Sequence, residues 1–245
     1  MKKLIVSAAA LMAAVAFASV ESDNTFGILK VPADASGQTF LSVPWVTVGS
    51  NVETIDAEKL VLASELANGD SMLVYAGSTF KGWTVVNGAW QAGEVSVKGR
   101  TDPYGGAEDT DGTVARGAGL VVQTAKSDIY LCGQYSPAAA TVTVAANGYT
   151  LLGTAFAEPV NLNTGVTWSA GRAVGDEIIT GSATFYYDGT NWVQPATAAS
   201  AGAWQGNTTV GVELAAGRAA WYHRKGSGEV TMTFPAKTVT PGPGE

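Results

Sequence analysis

The sequence predicts an all-β protein built from two tandem duplicated antiparallel β-sandwich or barrel-like modules, with one short helix near residues 55–66. Three observations lead there. Short runs of β-branched and aromatic residues alternate with Asn-Gly and Asp-Gly pairs. Charged residues make up only 14% of the chain while glycine reaches 30 residues, a balance that suits strands and tight turns better than helices. Finally, an ordered series of landmarks in the first half recurs in the second.

The N-terminus comes first in the chain. Met1-Lys2-Lys3 is positive, Leu4 to Phe17 is uncharged and mostly apolar, and Ala16-Phe17-Ala18 is a small-x-small site. This reads as a cleavable export signal over 1–18 with cleavage before Ser19. The apolar run is shorter than the roughly 20 residues a spanning helix needs, so no membrane insertion is expected after cleavage. Location is therefore expected to be secreted, periplasmic or cell-surface.

Strand signals follow. Phe26 to Val31 and Thr39 to Val43 are β-prone runs that stop at Pro32 and Pro44. Ser71 to Tyr75 and Trp83 to Val86 come next, and Asn87-Gly88 predicts a two-residue hairpin turn, because both central positions must take positive φ. Asp188-Gly189 is expected to join Thr184–Tyr187 to Thr190–Val193 by the same device. Asn147-Gly148 is expected to join Thr141–Val144 to Tyr149–Leu152. The segment Ile55 to Leu66 carries apolar residues near helical spacing, with Glu58 and Lys59 on its wet face and Asn68-Gly69 as a stop.

The landmarks that recur are Phe40-Leu41 with Tyr149-Thr150-Leu151-Leu152, Gly69-Asp70 with Gly175-Asp176, Trp90 with Trp192, and Gly117-Ala118-Gly119 with Gly217-Arg218-Ala219. A spacing of about 100 residues is an ordinary module size. The expected organisation is a first module over 19–136, a second over 137–235 and a tail over 236–245, with the seam near Ser136-Pro137-Ala138-Ala139-Ala140.

Composition then excludes function classes. Lys and Arg number 14 against 21 Asp and Glu, giving −7, and losing Lys2 and Lys3 with the leader makes it −9. Nucleic acid is an unsuitable partner for such a chain, since its binding needs clustered cations. One histidine and one cysteine leave zinc without a ligand set, so no cofactor is expected. The apolar run around Cys132 predicts a buried thiol.

Candidate chemistry is sparse. His223 lies in a strand-like run beside Arg224 and Lys225, and a triad would need Asp176 or Asp188 behind it with no nucleophile elbow in view. The carboxylates Glu94, Glu108, Asp109, Glu158 and Glu177 have no spacing that pairs them for glycoside hydrolysis. Asp102, Glu108, Asp109 and Asp111 sit among glycines in an acidic loop that offers hard oxygen ligands to Ca²⁺, but without EF-hand spacing. Trp83, Trp168 and Trp204 lie among small polar residues and are the tryptophans expected to be exposed for stacking on sugar rings. Trp90, Trp192 and Trp221 are expected to pack in the core or to pair across strands.

Several of these segments together carry a resemblance. The start Ser19-Val20-Glu21-Ser22-Asp23-Asn24-Thr25-Phe26-Gly27 after the leader, the strand ending Ser42-Val43-Pro44-Trp45, the Gly69-Asp70 turn and Gly217-Arg218-Ala219-Ala220-Trp221-Tyr222-His223-Arg224-Lys225 make the chain resemble a family of uncharacterised exported β-rich bacterial proteins with an internally duplicated module. The likeness covers most of the chain and its motifs are structural. It implies a secreted or surface location and carries over no catalytic residue. The resulting expectation is a non-enzymatic secreted or cell-surface scaffold, structural or adhesive, whose partners are copies of itself or other surface proteins. A carbohydrate-binding module that contacts polysaccharide is the alternative, and a secreted hydrolase the third.

Overall fold

The computed structural model describes residues 26–49, 52–75, 79–95, 111–146, 148–181, 183–194 and 212–238. The first half contributes β1 (Phe26–Pro32), β2 (Gln38–Ser42), β3 (Thr54–Asp56), helix α1 (Ala57–Leu60), β4 (Ser71–Tyr75), β5 (Phe80–Val86), β6 (Ala89–Ala92), β7 (Thr113–Ala115), β8 (Gly119–Gln123) and β9 (Asp128–Gln134). The second contributes β10 (Ala140–Val144), β11 (Gly148–Gly153), β12 (Val160–Asn161), β13 (Thr167–Trp168), β14 (Glu177–Ile179), β15 (Thr184–Tyr187), β16 (Trp192–Val193), β17 (Glu213–Leu214), β18 (Ala219–Arg224) and β19 (Val230–Phe234). Among the described residues every strand pair is antiparallel and no sheet closes on itself, so the fold is all-β and sandwich-like.

Both halves run through the same connections. The first sheet has the order β2-β8-β4-β5-β6, and the second has β11-β18-β14-β15-β16. First and last strands pair as β1-β9 and β10-β19, and short ribbons pair as β3-β7 and β12-β17. The slot filled by α1 in the first half holds β13 in the second, where it extends the β10-β19 pair. Each half buries its own apolar cluster, around Leu41, Trp83, Leu120 and Leu131 in one and around Leu152, Trp192, Tyr222 and Phe234 in the other.

Local chemistry explains several elements, and packing overrides it in others. Asn87 at φ 53° and Gly88 at φ 77° make the expected two-residue turn between β5 and β6. Asp188-Gly189 instead opens a four-residue loop. The Asp188 carboxylate accepts the N–H groups of Thr190 and Asn191, and its own N–H donates to Asn191 O. The hairpin expected at Asn147-Gly148 does not pair its strands: β10 pairs with β19 and β11 with β18, so the chain passes from one sheet to another between Val144 and Gly148, and Asn147 itself lies outside the described residues. Alternation explains why, because Val142 and Val144 must reach the core and find it only beside the last strand. The expected helix over 55–66 shrinks to one turn, α1, followed by a 3-10 turn at Ala63–Glu65. Ile55 is claimed by β3, while Glu58 and Lys59 are exposed as the pattern predicts.

The halves meet through reciprocal contacts. Ser42 N–H donates to Gly217 O at 2.9 Å, and Gly153 N–H donates to Gly117 O at 2.8 Å. Isolated bridges Leu41↔Arg218 and Ala118↔Leu152 flank these bonds. Each half thus clamps the end of its second strand onto the turn before the other half's last strand but one. A Cβ on Gly153 would stand 2.2 Å from Ser42 Cβ and 2.7 Å from Ser42 Cα. The connecting segment is fixed by Arg116, whose wholly buried guanidinium donates to the carbonyls of Ser136, Ala138 and Ala139, pairs with Glu53 at 2.6 Å and lies 5.2 Å from the Phe156 ring.

Gly153→Val should lower stability by about 1–3 kcal/mol, the usual cost of overpacking, because one of the clashing atoms is backbone. Urea denaturation against the parent protein measures it, and an unchanged midpoint would show that the seam is not tightly packed.

Candidate functional site

Residues of β18 alternate between two faces. Ala220, Tyr222 and Arg224 turn into the second core, whereas Ala219, Trp221 and His223 turn to the opposite face. There the register aligns Tyr149, His223, Glu177 and Tyr186 in one row across four strands. The corresponding row in the first half is Gln38, Gln123, Ser71 and Thr84. The same framework therefore presents amides and hydroxyls on one half and rings, an imidazole and a carboxylate on the other.

The Tyr149 ring stacks on His223 at 4.1 Å and 12° and keeps 47% of its surface exposed. His223 Nδ1 lies 2.7 Å from Glu177 Oε2 and 2.9 Å from Lys225 Nζ. One ring nitrogen cannot donate to the carboxylate and accept from the ammonium at once, so the two contacts alternate with tautomer. Beside this row, Trp221 meets Tyr75 at 5.4 Å and Phe40, Phe80 and Tyr149 at 6.2 Å each. Tyr75 OH donates to Tyr149 O at 3.1 Å. This shelf of rings straddles both halves and rests on the small seam cluster of Leu73, Val95, Val121, Leu151 and Ala219.

Next to the shelf lies a cleft of about 460 Å³, within the size range of small-ligand sites. Its walls are Thr113–Arg116 on β7 and the turn after it, and Thr141–Thr143 on β10. Tyr75, Lys81, Asp111, Ala118 and Leu151 complete it.

The residues singled out from sequence fall elsewhere. Trp83 is a correction: it is 0% exposed in the first core, because its position on β5 faces the sandwich interior despite polar sequence neighbours. Trp168 is half-buried, donates its indole N–H to Leu162 O at 2.8 Å and packs on Trp192 and Tyr222, so it too is no open platform. Trp204 lies outside the described residues, as do Asp102, Glu108 and Asp109. Asp111 is exposed, accepts the Thr113 N–H and lies 3.9 Å from Lys81, which with that hydrogen bond first holds its carboxyl below the ordinary value. Among the described residues no group of three or more His, Cys, Asp or Glu is placed to hold a metal. Trp221 pairs across strands with Leu151 and Ile179, as expected, and is half-buried against the seam cluster. The signal that finds it is the alternation Ala219-Trp221-His223 against Ala220-Tyr222-Arg224, which places it on the outer face.

His223 does not meet Asp176. Asp176 sits on the inner side, wholly buried, where its carboxylate takes Arg224 at 2.6 Å, the Tyr222 hydroxyl at 2.7 Å, and the N–H groups of Lys225 and Ala173. Arg224 also donates to Gly171 O. Burial pushes the Asp176 carboxyl up, but these donors outweigh it and hold it below the usual carboxylate range. Burial and then the bond to Asp176 push the Tyr222 phenol well above its ordinary value. Cys132 is buried as expected, with its thiol on Lys59 O, and burial raises its ionisation. Among the described residues no helix is long and apolar enough to cross a membrane.

No known protein family matches the chain. Neither a curated protein nor a solved structure matches it either.

Because the folded Asp176 carboxyl ionises below its unfolded value, its stabilisation is complete above the unfolded pKa of about 4 and is lost as the pH falls through the folded one. Asp176→Asn should cost about 3–5 kcal/mol near neutrality by stranding Arg224 and should flatten the acid limb of the stability profile. Denaturation midpoints from pH 7 downward test this; parallel profiles for the two proteins would refute it.

Proposed function

We propose that the protein is a non-enzymatic, exported β-scaffold, secreted or held at the cell surface, made of a duplicated module and acting by contact with further copies or neighbouring surface proteins. One observation supports this most. The three buried charged side chains among the described residues, Arg116, Asp176 and Arg224, are all spent on the framework. Arg116 ties the connecting segment, and the other two tie β14 to β18. Charge held in this way stiffens a scaffold. Duplication is supported by the common strand order of the halves and by the Ala-x-Gly-Asp turns at Ala67–Asp70 and Ala173–Asp176. In both turns the aspartate N–H donates to the alanine carbonyl, and its Oδ2 accepts the alanine N–H. The sequence of residues 1–18 supports export.

A second reading, binding of polysaccharide, is favoured by the shelf of Tyr149 and Trp221 beside Glu177, His223 and Lys225. Aromatic faces with hydrogen-bonding neighbours are what sugar rings stack on.

Light scattering of the chain from Ser19 over a wide concentration range should show a mass that grows with concentration. A constant monomer mass, with no retention by other surface components, would contradict the scaffold reading. Affinity electrophoresis in polysaccharide gels addresses the second: retardation that weakens about ten-fold in Tyr149→Ala, a loss of roughly 1.4 kcal/mol, is its expected result, and no retardation of the parent protein would end it.

A further inference from the structure

The two seams between the halves are related, yet only one is open. Gly117-Ala118 and Gly217-Arg218 occupy corresponding places: both glycines have positive φ, 84° and 70°, and both following residues bridge to the other half's second strand. At Arg218 the seam is filled. Its guanidinium donates to Pro32 O at 2.6 Å and pairs with Asp34 at 3.0 Å. At Ala118 there is only a methyl group, and the cleft lies there.

Hydrogen-bond parity shows what the open seam presents. Arg116 N–H donates to Glu53 O and Ala57 N–H to Gly112 O. In an antiparallel ladder alternate residues face the partner, so Thr113 and Ala115 turn their main-chain groups away from β3. Asp111 takes the Thr113 N–H and Ala118 N–H takes Ala115 O, which leaves Thr113 O and Ala115 N–H on the cleft side. Across the gap, Ser169 N–H donates to Thr231 O and Thr231 N–H to Ser169 Oγ. Thr231 and Thr233 therefore face β13, Val142 exchanges bonds with Met232, and Thr141 and Thr143 direct their main-chain groups to the free edge of β10. In the closed seam the same parity leaves Lys30 and Pro32 outward, and Pro32 O is the group that Arg218 takes.

We propose that this cleft accepts a single extended peptide strand, and that the strand is the C-terminal tail of a second copy of this chain. The inference rests on the self-associating scaffold reading and names its contact. Among the described residues these two edges face one gap with no strand between them, which suits an added strand that pairs on both sides. The sequence offers a candidate strand after β19. Thr238-Val239-Thr240 is β-prone and is ended by Pro241, which matches the three residues of β7. Lys237 N–H is bonded to Pro137 O, so the segment from Thr238 starts beside the connecting segment, and Thr238 to Glu245 would reach about 28 Å when extended. The contact is heterologous, so it closes into a reciprocally exchanged dimer or a ring where the geometry allows and otherwise builds open chains.

Sedimentation velocity on the chain from Ser19 tests this in four forms: intact, ending at Lys237, Ala118→Arg and Thr143→Pro. Ala118→Arg fills the seam as Arg218 fills the other. Thr143→Pro removes one outward N–H and leaves the β10-β19 ladder intact, so it serves if the arginine variant fails to fold. The intact protein should grow in mass with concentration while the other three stay monomeric. A synthetic Lys237–Glu245 peptide should bind the tail-less chain in calorimetry and bind at least about ten-fold more weakly to either seam variant. Association that survives all three changes overturns the inference and leaves the scaffold reading standing. A monomeric intact chain whose tail-less form binds the peptide would place the tail in its own cleft and overturn the second-copy assignment. Failure of the intact chain to associate, with no peptide binding, overturns both. Seam variants that lose polysaccharide retention instead would give the cleft to a saccharide.

Discussion

The exchange of main-chain hydrogen bonds at the seam is the constraint on which the rest depends. Ser42 and Gly153 each donate across it, and each acceptor is a glycine carbonyl in a left-handed turn, Gly217 and Gly117. Such a bond requires close approach of two backbones, which explains the missing side chain at Gly153 and the positive φ at both acceptors. Once the second strands are clamped in this way, the outer faces of the two large sheets are brought together over Leu73, Val121 and Leu151. The aromatic shelf and the cleft are consequences of that meeting. Neither half could form them alone.

Differences between positions that share a place in the two sheets then decide what the frame presents. Val121 in one half corresponds to Trp221 in the other, and Gln123 to His223, by their places in β8 and β18. Ala118 corresponds to Arg218 and separates an open seam from a filled one. A frame with equal connections can thus carry an unequal surface, because outer-face positions bear little of the packing cost that fixes Leu120 or Tyr222 inside. Buried charge follows the opposite rule. Asp176 and Arg224 persist in the interior only because each satisfies the other and the surrounding main chain.

Much of the fold was legible in the sequence because it is written in short-range chemistry. Runs of β-branched and aromatic residues mark β1, β2, β4 and β15, and Asn87-Gly88 marks its turn through the one backbone shape both residues tolerate. What was not legible depends on distant pairing. Nothing near Asn147-Gly148 reveals that Val142 must find Met232 ninety residues on, and nothing near Ile55 reveals that Val114 will claim it for a strand. The site was harder to read for the same reason. Polar neighbours suggested exposure for Trp83, yet facing is set by register, and register placed it inside. Trp221 was hidden by its apolar neighbours although its own alternation placed it with His223. The shelf also needs Tyr75 and Tyr149, which come from opposite halves and meet only through the seam.

If the seam makes the halves one body, they must unfold together. Differential scanning calorimetry reports this directly, since a single cooperative unit has equal calorimetric and van't Hoff enthalpies. The account predicts one symmetric transition with that equality for the chain from Ser19. Two resolved transitions, or a calorimetric enthalpy near twice the van't Hoff value, would mean that the halves fold independently and that the seam does not govern the structure.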